Sequence, residues 1–231
     1  MTVVEHLTEL RRRLLVSVVA VVVGGIVAFV LYDRILDFLI GPYTDVTGRE
    51  TLLVTDPLEG FATRLKIAGY GGLFLASPVV LWQLWRFVTP GFHPNEKRYA
   101  IPFVVSSIVL FVLGGALALA VFPKALDFLV GVGGENLESF FSPARYLSLI
   151  VLMIVAFGVA FEFPVLLVFL QLAGVLSSAQ LRGWRRPAVV LIVVAAAFIT
   201  PSQDPYSLLF VAGPMYLFYE AAILIGRLRH R

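Results

Sequence analysis

The sequence predicts an all-α integral membrane protein. Of its 231 residues, 59% are hydrophobic and 14% are charged, whereas about a quarter of an ordinary soluble domain is charged. The apolar residues are gathered into long segments, and a segment alone in lipid must satisfy its own backbone polar groups, so each is predicted to be a helix. Almost no sequence remains for a soluble domain, and we expect a single membrane domain over 1–231.

Six apolar segments predict six transmembrane helices. The first four are long enough to cross the hydrocarbon core, which takes about 20 residues. The fifth is shorter, about 21 Å at 1.5 Å per residue, and only 201–205 join it to the sixth. We therefore expect the last two to form a short helical hairpin. The segments are 14–31, 67–85, 101–122, 146–172, 187–200 and 206–225.

The basic residues predict the orientation of these helices. Twelve of the 18 lysines and arginines fall on the side of the N-terminus, and the other six share the opposite side with ten acidic residues. Both termini are therefore expected in the cytoplasm. The connections are an amphipathic cytoplasmic N-terminus (1–13), external loops (33–66 and 123–145) and cytoplasmic loops (86–100 and 173–186).

Prolines are expected to shape the chain further. Within 33–66, Gly41-Pro42 and Asp56-Pro57 are expected to break the first external loop into short pieces. Four other prolines lie inside apolar segments, where each removes a backbone donor and can bend its helix. Four bent helices predict a curved bundle, and the prolines concerned are Pro78, Pro102, Pro164 and Pro214.

Glu162 is the only charged residue among the 36 between Arg145 and Arg182. A charge at the centre of a membrane helix costs about 2.5–3.5 kcal/mol on insertion scales, so a functional site is the default interpretation. A structural carboxyl group, protonated or bonded to backbone, is the alternative. Its neighbours one turn away are apolar, and no lysine or arginine lies well inside another segment. The partner must come from another helix, water or a bound substrate, which favours a wet or substrate-lined groove.

Three acidic residues, Glu5, Glu9 and Glu96, stand within the predicted basic cytoplasmic surface. A carboxylate binds a guanidinium through a forked pair of hydrogen bonds that lysine cannot reproduce. Each acid either pairs with a neighbouring arginine or awaits a cationic partner, and the sequence leaves both possibilities open. In 1–13, an i+4 series of charged residues follows one helix face and apolar residues follow another. The charged series is Glu5, Glu9 and Arg13, and the apolar one is Val3, Leu7, Leu10 and Leu14.

Enzyme hypotheses find little support. The three histidines are far apart, and the sequence contains no zinc-protease, nucleophile-elbow or phosphate-loop motif. With no cysteine there is no thiol nucleophile or thiolate metal site. We expect no cofactor, no metal and no nucleic-acid partner. The main alternative is a proton-coupled small-solute transporter that uses Glu162, although the paired broken helices of many such transporters are not evident.

The sequence resembles TatC, the six-helix core component of the twin-arginine protein translocase. The similarity runs along essentially the whole chain, and it rests on motifs that occur in the same order. These are His6-Leu7-x-Glu9-Leu10-Arg11-x-Arg13, Gly91-Phe92-His93-Pro94-Asn95-Glu96-Lys97-Arg98, Phe157-Gly158-x-x-Phe161-Glu162-x-Pro164-Val165, Thr200-Pro201 with Asp204, Pro214-Met215-Tyr216 and Tyr219-Glu220.

The resemblance implies a signal-peptide receptor and core subunit for export of folded proteins across the prokaryotic cytoplasmic membrane. TatC proteins recognise an adjacent arginine pair, use the proton-motive force, hydrolyse no ATP and adopt a concave, glove-like shape in the bilayer. Their partners are twin-arginine signal peptides, TatA-type and TatB-type single-span subunits and further TatC copies.

The resemblance also implies roles for individual residues. Glu9 and Glu96 would face the signal arginines, and Arg11 and Phe87 would contribute to recognition, although Phe87 is also explained as an interfacial aromatic anchor. Glu162 matches the intramembrane glutamate of the family. Pro42, Thr200, Asp204 and Glu220 match structural or partner-contacting positions.

One departure from the family pattern lies in the final hairpin. Many relatives carry a glutamine after a Thr-Pro-Pro-Asp turn, on the face that meets the partner subunit. Here the turn, Thr200-Pro201-Ser202-Gln203-Asp204, is one residue longer and the aligned position is Leu208. Which polar groups dock the partner is therefore left open.

Overall fold

The computed structural model describes residues 3–49, 51–54, 56–88, 100–133 and 141–229. This part of the chain forms nine helices and no strand, which confirms the all-α prediction. The helices are α1 (Val3–Val30), α2 (Tyr32–Thr47), α3 (Glu59–Val88), α4 (Ala100–Val132), α5 (Pro143–Phe161), α6 (Phe163–Leu172), α7 (Ser178–Gly183), α8 (Arg185–Ile199) and α9 (Pro205–Arg229).

Five stretches of the described residues are long and apolar enough to cross a membrane, and they match five of the six predicted segments. The fifth predicted segment is α8, whose 15 residues span about 22 Å, less than the hydrocarbon thickness of about 30 Å. It packs against α9 as the predicted short hairpin. The five candidate spans are Val4–Val30, Glu59–Phe87, Ile101–Val132, Pro143–Leu172 and Pro205–Arg227.

The segment 33–66 is mostly helical rather than a loop in short pieces. The prediction that Gly41-Pro42 would break it is wrong, because α2 runs through both residues to Thr47. Gly48, with φ 68°, caps the helix. Pro42 lacks an N–H, which removes a single helical hydrogen bond. The neighbouring Tyr43 is buried, and its ring packs edge-on against the ring of Tyr146 with centroids 5.6 Å apart, which favours the continued helix. The expected turn at 56–58 does precede α3.

The described residues fall into two compact units. Unit 1 takes its residues from Met1–Pro90 and Gly133–Val151, and unit 2 takes its residues from Gly91–Val132 and Leu152–Arg231. Helices α1, α2 and α3 with the start of α5 therefore belong to unit 1. Helix α4, the end of α5 and α6 to α9 belong to unit 2.

Within unit 1, glycines bring α1 and α3 into backbone contact. A Cβ on Gly24 would lie 2.7 Å from the carbonyl oxygen of Gly72, and a Cβ on Gly72 would lie 2.6 Å from the backbone nitrogen of Gly25. Small residues allow this close approach between membrane helices, where lipid supplies no hydrophobic drive for association. The glycines thus set the spacing of the α1–α3 pair.

Within unit 2, the bend predicted at Pro164 is a break between α5 and α6. Pro164 has no N–H to donate to the carbonyl of Ala160, and the Glu162 amide instead donates to the carbonyl of Val159 at 3.1 Å. The end of α5 is fixed on α4 by another close approach, because a Cβ on Gly114 would lie 2.5 Å from the carbonyl oxygen of Phe157. The break therefore lies beside α4.

Candidate functional site

The packing of α1 on α3 gathers polar and aromatic side chains at the N-terminal end of α1. Arg13 on α1 donates from Nη1 to Oε1 of Gln83 on α3 at 3.3 Å. Nearer the helix ends, the rings of His6 and Phe87 stack with centroids 4.4 Å apart and planes 20° apart. Phe87, predicted from the family pattern, therefore contacts the same stretch of α1 as the acidic candidate described next.

Glu9 is paired with Arg13 one helical turn away. Its Oε1 accepts from Nε at 3.0 Å and also from Nη2, so two donors of one guanidinium converge on one oxygen. The side chains of Arg13 and Glu9 are 17% and 19% exposed. Oε2 of Glu9 is buried and has no hydrogen-bond partner within the described residues. The sequence left open whether Glu9 pairs with a neighbouring arginine or awaits a cationic partner, and in the structure it pairs with Arg13.

The rest of this predicted site is dispersed. Arg11 is exposed on another face of α1 from Glu9. Leu7 and Leu10 are exposed, whereas the Glu9–Arg13 side is partly covered, so the charged face of the predicted amphipathic helix is the one that reaches α3. Glu96 lies outside the described residues.

Glu162 occupies the break between α5 and α6, and its partner is a serine on α4. The hydroxyl of Ser107, which is fully buried, donates to Oε2 of Glu162 at 2.6 Å. Oε1 is buried without a hydrogen-bond partner among the described residues. A partner on another helix was one of the predicted possibilities, but Ser107 itself was missed. The sequence feature that could have identified it is the Ser106-Ser107 pair, the only polar residues in the apolar segment 101–122.

Glu162 borders a cavity of about 910 Å³ in unit 2. Its described walls come from the end of α5 and from α6 to α9, and apart from Glu162 they are apolar or aromatic. The volume lies in the range of ligand pockets, about 300–1,000 Å³. Such a cavity suits an apolar chain that brings one polar group to the carboxyl.

Thr200 and Asp204 shape the turn of the final hairpin. Asp204 caps α9, because its Oδ1 accepts from the amide of Ser207 at 2.8 Å and its Oδ2 accepts from the hydroxyl of Ser202. Pro205 begins the helix, where its missing N–H costs nothing. Thr200 donates to the carbonyl of Ala196 at 2.8 Å. Both predicted residues are buried, so their contacts order the turn itself.

Leu208 shares a second cavity with a polar residue of the turn. Gln203, in the left-handed region at φ 50°, lines this cavity of about 300 Å³ together with Leu208 and Thr200. Gln203 of the longer turn therefore brings an amide to the surface that also carries Leu208.

Glu220 joins α9 to the start of α8. Its Oε2 accepts from Nη2 of Arg185 at 2.5 Å, and its Oε1 accepts from the hydroxyl of Tyr216 at 3.3 Å. The adjacent Tyr219 donates to the carbonyl of Leu181 at 2.5 Å. Pro42 in turn lies in α2 beside Leu39, whose carbonyl accepts from the hydroxyl of Tyr146 at 2.6 Å.

Several known proteins that are similar to this chain belong to one family. The family model described as Sec-independent protein translocase protein (TatC) matches residues 5–214. The TatC protein of Frankia casuarinae is 41% identical over 100% of this chain and 67% of its own length. The TatC protein of Magnetococcus marinus is also 41% identical, over 97% of this chain and 83% of its own length. That of Aquifex aeolicus is 38% identical over 100% of this chain and 97% of its own.

A solved structure gives the same answer. The crystal structure of a twin-arginine translocase receptor, TatC, is 37% identical and superposes with a TM-score of 0.80, covering 98% of this chain and all of that one. Sequence and fold therefore agree along nearly the full length, with several membrane-spanning helices. The chain belongs to the TatC family: it is a multi-pass membrane component of the Sec-independent protein translocase, and not an enzyme.

Proposed function

We propose that this chain is the receptor for twin-arginine signal peptides in its translocase and a core subunit for export of folded proteins, driven by the proton-motive force. The similar solved structure is that of a twin-arginine translocase receptor. Family membership favours this function over a proton-coupled small-solute transporter, the alternative that Glu162 alone suggested.

The pairing of Glu9 is the observation that carries this proposal. Glu9 already binds a guanidinium with two donors, and its second oxygen is a buried acceptor without a partner among the described residues. A carboxylate held in this way suits the arginine side chains of a signal peptide. Arg11, Phe87 and Glu96 complete the proposed recognition site at the cytoplasmic surface.

The cavity beside Glu162 is the proposed path for the apolar part of the peptide. Its apolar walls suit a hydrophobic segment, and Oε1 of Glu162 offers a polar contact at depth. The proposed partners are TatA-type and TatB-type single-span subunits and further copies of this chain. Thr200, Asp204 and Glu220 would hold the hairpin that meets them, with Gln203 as its polar contact, and Pro42 would help to order the outer segment.

The proposed topology has six crossings in the prokaryotic cytoplasmic membrane, with both termini inside. Five candidate spans and the shorter α8 supply the crossings. The clustering of basic residues at both ends and in the connections on that side supports the orientation. The proposed external connections are 33–66, which is mostly helical, and 123–145. The proposed cytoplasmic connections are 86–100 and 173–186, with 1–13 on the same side.

Crosslinking of a labelled twin-arginine peptide to the full chain in membranes tests the receptor role. Glu9→Ala and Glu96→Ala should each lower the yield, since a charge pair loses one partner. Glu5→Ala, an exposed acid on the same helix, is the matched control and should retain the yield. Unchanged yield in both site variants would refute the assignment, and rescue of a folded reporter in cells lacking their own TatC would test export itself.

A further inference from the structure

An open cavity of about 600 Å³ lies in unit 2, where the end of α4 meets the start of α9. Four of its lining residues stand at i, i+3, i+4 and i+7 along α4, so they share one face of that helix. The opposite face is buried through Phe122 and Leu126, which turns the cavity face outward. The four residues on the cavity face are Lys124, Asp127, Phe128 and Gly131, and Val132 and Tyr206 complete the lining.

This cavity presents one cation and one anion without partners. Lys124 and Asp127 are exposed, and neither forms an ion pair or a hydrogen bond with any described residue. Residues three apart on a helix face have Cβ atoms about 5–6 Å apart, so the two charges are neighbours. Phe128 and Tyr206 form an aromatic wall beside them, with their rings edge-on and centroids 6.0 Å apart.

The depth of the cavity along α4 matches the bilayer surface. The uncharged segment 101–122 is about 33 Å long at 1.5 Å per residue, which fills a hydrocarbon core of about 30 Å. The headgroup region adds about 5–7 Å on each side, and the helix rises by about 4.5 Å from Lys124 to Asp127. Tyr206, which is 44% exposed, suits this depth because tyrosine is enriched where apolar and aqueous layers meet.

We propose that this cavity binds the headgroup of phosphatidylethanolamine in the leaflet next to the external connections. Lys124 binds the phosphate and Asp127 binds the ammonium, while Phe128 and Val132 pack against the apolar part of the lipid. A two-carbon bridge joins the two charges of this headgroup, so both reach neighbouring residues on one helix face. This site goes beyond the proposed receptor function and does not depend on it.

The two charges distinguish this headgroup from other common ones. A primary ammonium donates hydrogen bonds to the carboxylate of Asp127, whereas the trimethylammonium of phosphatidylcholine has no N–H to donate. Phosphatidylglycerol carries only a negative charge, which Asp127 repels. Gly131 keeps the space beside these charges open, because it has no side chain and a Cβ there would meet nothing within 4 Å.

Native mass spectrometry of the full chain tests the proposal. The chain is released from detergent containing equal amounts of phosphatidylethanolamine, phosphatidylcholine and phosphatidylglycerol with the same acyl chains. It should retain the ethanolamine lipid over the choline lipid roughly two- to fivefold, the effect of one partly exposed ion pair. Asp127→Asn should abolish this preference and raise the amount of bound phosphatidylglycerol. Lys124→Gln should lower the ethanolamine and choline lipids equally, because both carry the phosphate.

Two control variants accompany these changes. Asp37→Asn removes an exposed acid of α2 that does not line the cavity, and it should keep the lipid preference. Gly131→Leu fills the cavity with both charges in place and should lower the bound ethanolamine lipid. Gly131→Ala adds only a methyl group and should retain most of it. Thermal unfolding followed by circular dichroism checks that each variant is folded.

Three results would overturn the proposal. The first is equal retention of the ethanolamine and choline lipids by the unaltered chain, or a preference that survives Asp127→Asn. The second is displacement of the lipid by an equal concentration of soluble glycerophosphoethanolamine, which would make the ligand a solute. The third is loss of chain dimers without loss of lipid in Gly131→Leu, which would identify a second copy of the chain as the occupant. Loss of the preference in Asp127→Asn, with Asp37→Asn unaltered, supports the headgroup site.

Discussion

Replacement of Gly72 by alanine should force α1 and α3 apart. The added methyl carbon would lie 2.6 Å from the backbone nitrogen of Gly25 and 2.7 Å from the carbonyl oxygen of Val21. Favourable non-bonded contacts lie at about 3.5–4.0 Å, and no side-chain rotation can relieve a clash with backbone, so the helices must separate by about 1 Å. Overpacking of this kind costs about 1–3 kcal/mol. At about 2–4 °C per kcal/mol for a chain of this length, Tm should fall by about 2–12 °C.

Gly69→Ala is the matched control on the same helix. A Cβ at Gly69 meets nothing within 4 Å, so this variant should keep Tm or raise it slightly through the better helix propensity of alanine. Thermal unfolding of both variants in the same detergent, followed by circular dichroism, makes the comparison. Equal Tm values would refute the argument that backbone contact at Gly72 sets the spacing. Since Arg13 and Gln83 bridge the same helix pair, Gly72→Ala should also weaken peptide binding.

Other contacts carry predictions of their own. Glu162→Gln should retain more export than Glu162→Ala, because the amide oxygen can still accept from Ser107; equal damage would indicate proton handling instead. Asp204→Ala should lower the free energy of unfolding by about 0.5–2 kcal/mol through loss of the cap of α9, and Asp204→Asn should keep most of it, as unfolding midpoints will show. Arg185→Gln should shift Tm only slightly, because Arg185 and Glu220 are 47% and 31% exposed, and high salt should erase the shift.

Spans were predictable from sequence because length and hydropathy suffice to identify them, whereas helix ends depend on contacts between distant residues. Helix α3 begins at Glu59, eight residues before the apolar segment predicted at 67. Lys66 in this added part donates to the carbonyl of Ala144 and the hydroxyl of Ser148, each at 2.9 Å. Partners about 80 residues away cannot be found from hydropathy windows.

The candidate sites divide in the same way. Spacing of i and i+4 made Arg13 an available partner for Glu9, and the isolation of Glu162 in an apolar segment marked it from the start. Gln83 and Ser107 were not predictable, because each depends on the register between two helices. That register follows from glycine contacts with backbone, which have no signature in charge or hydropathy.

The contact between Ser107 and Glu162 has a consequence for biogenesis. The span that contains Glu162 carries a carboxyl group and a helix break, both of which oppose its entry into lipid as an isolated helix. Ser107 lies 55 residues earlier in the chain, so α4 is synthesised first and its hydroxyl is present when Glu162 emerges. The later span therefore gains a hydrogen bond at depth by inserting against the earlier one. Correct integration of this part of the chain is a cooperative event between two spans.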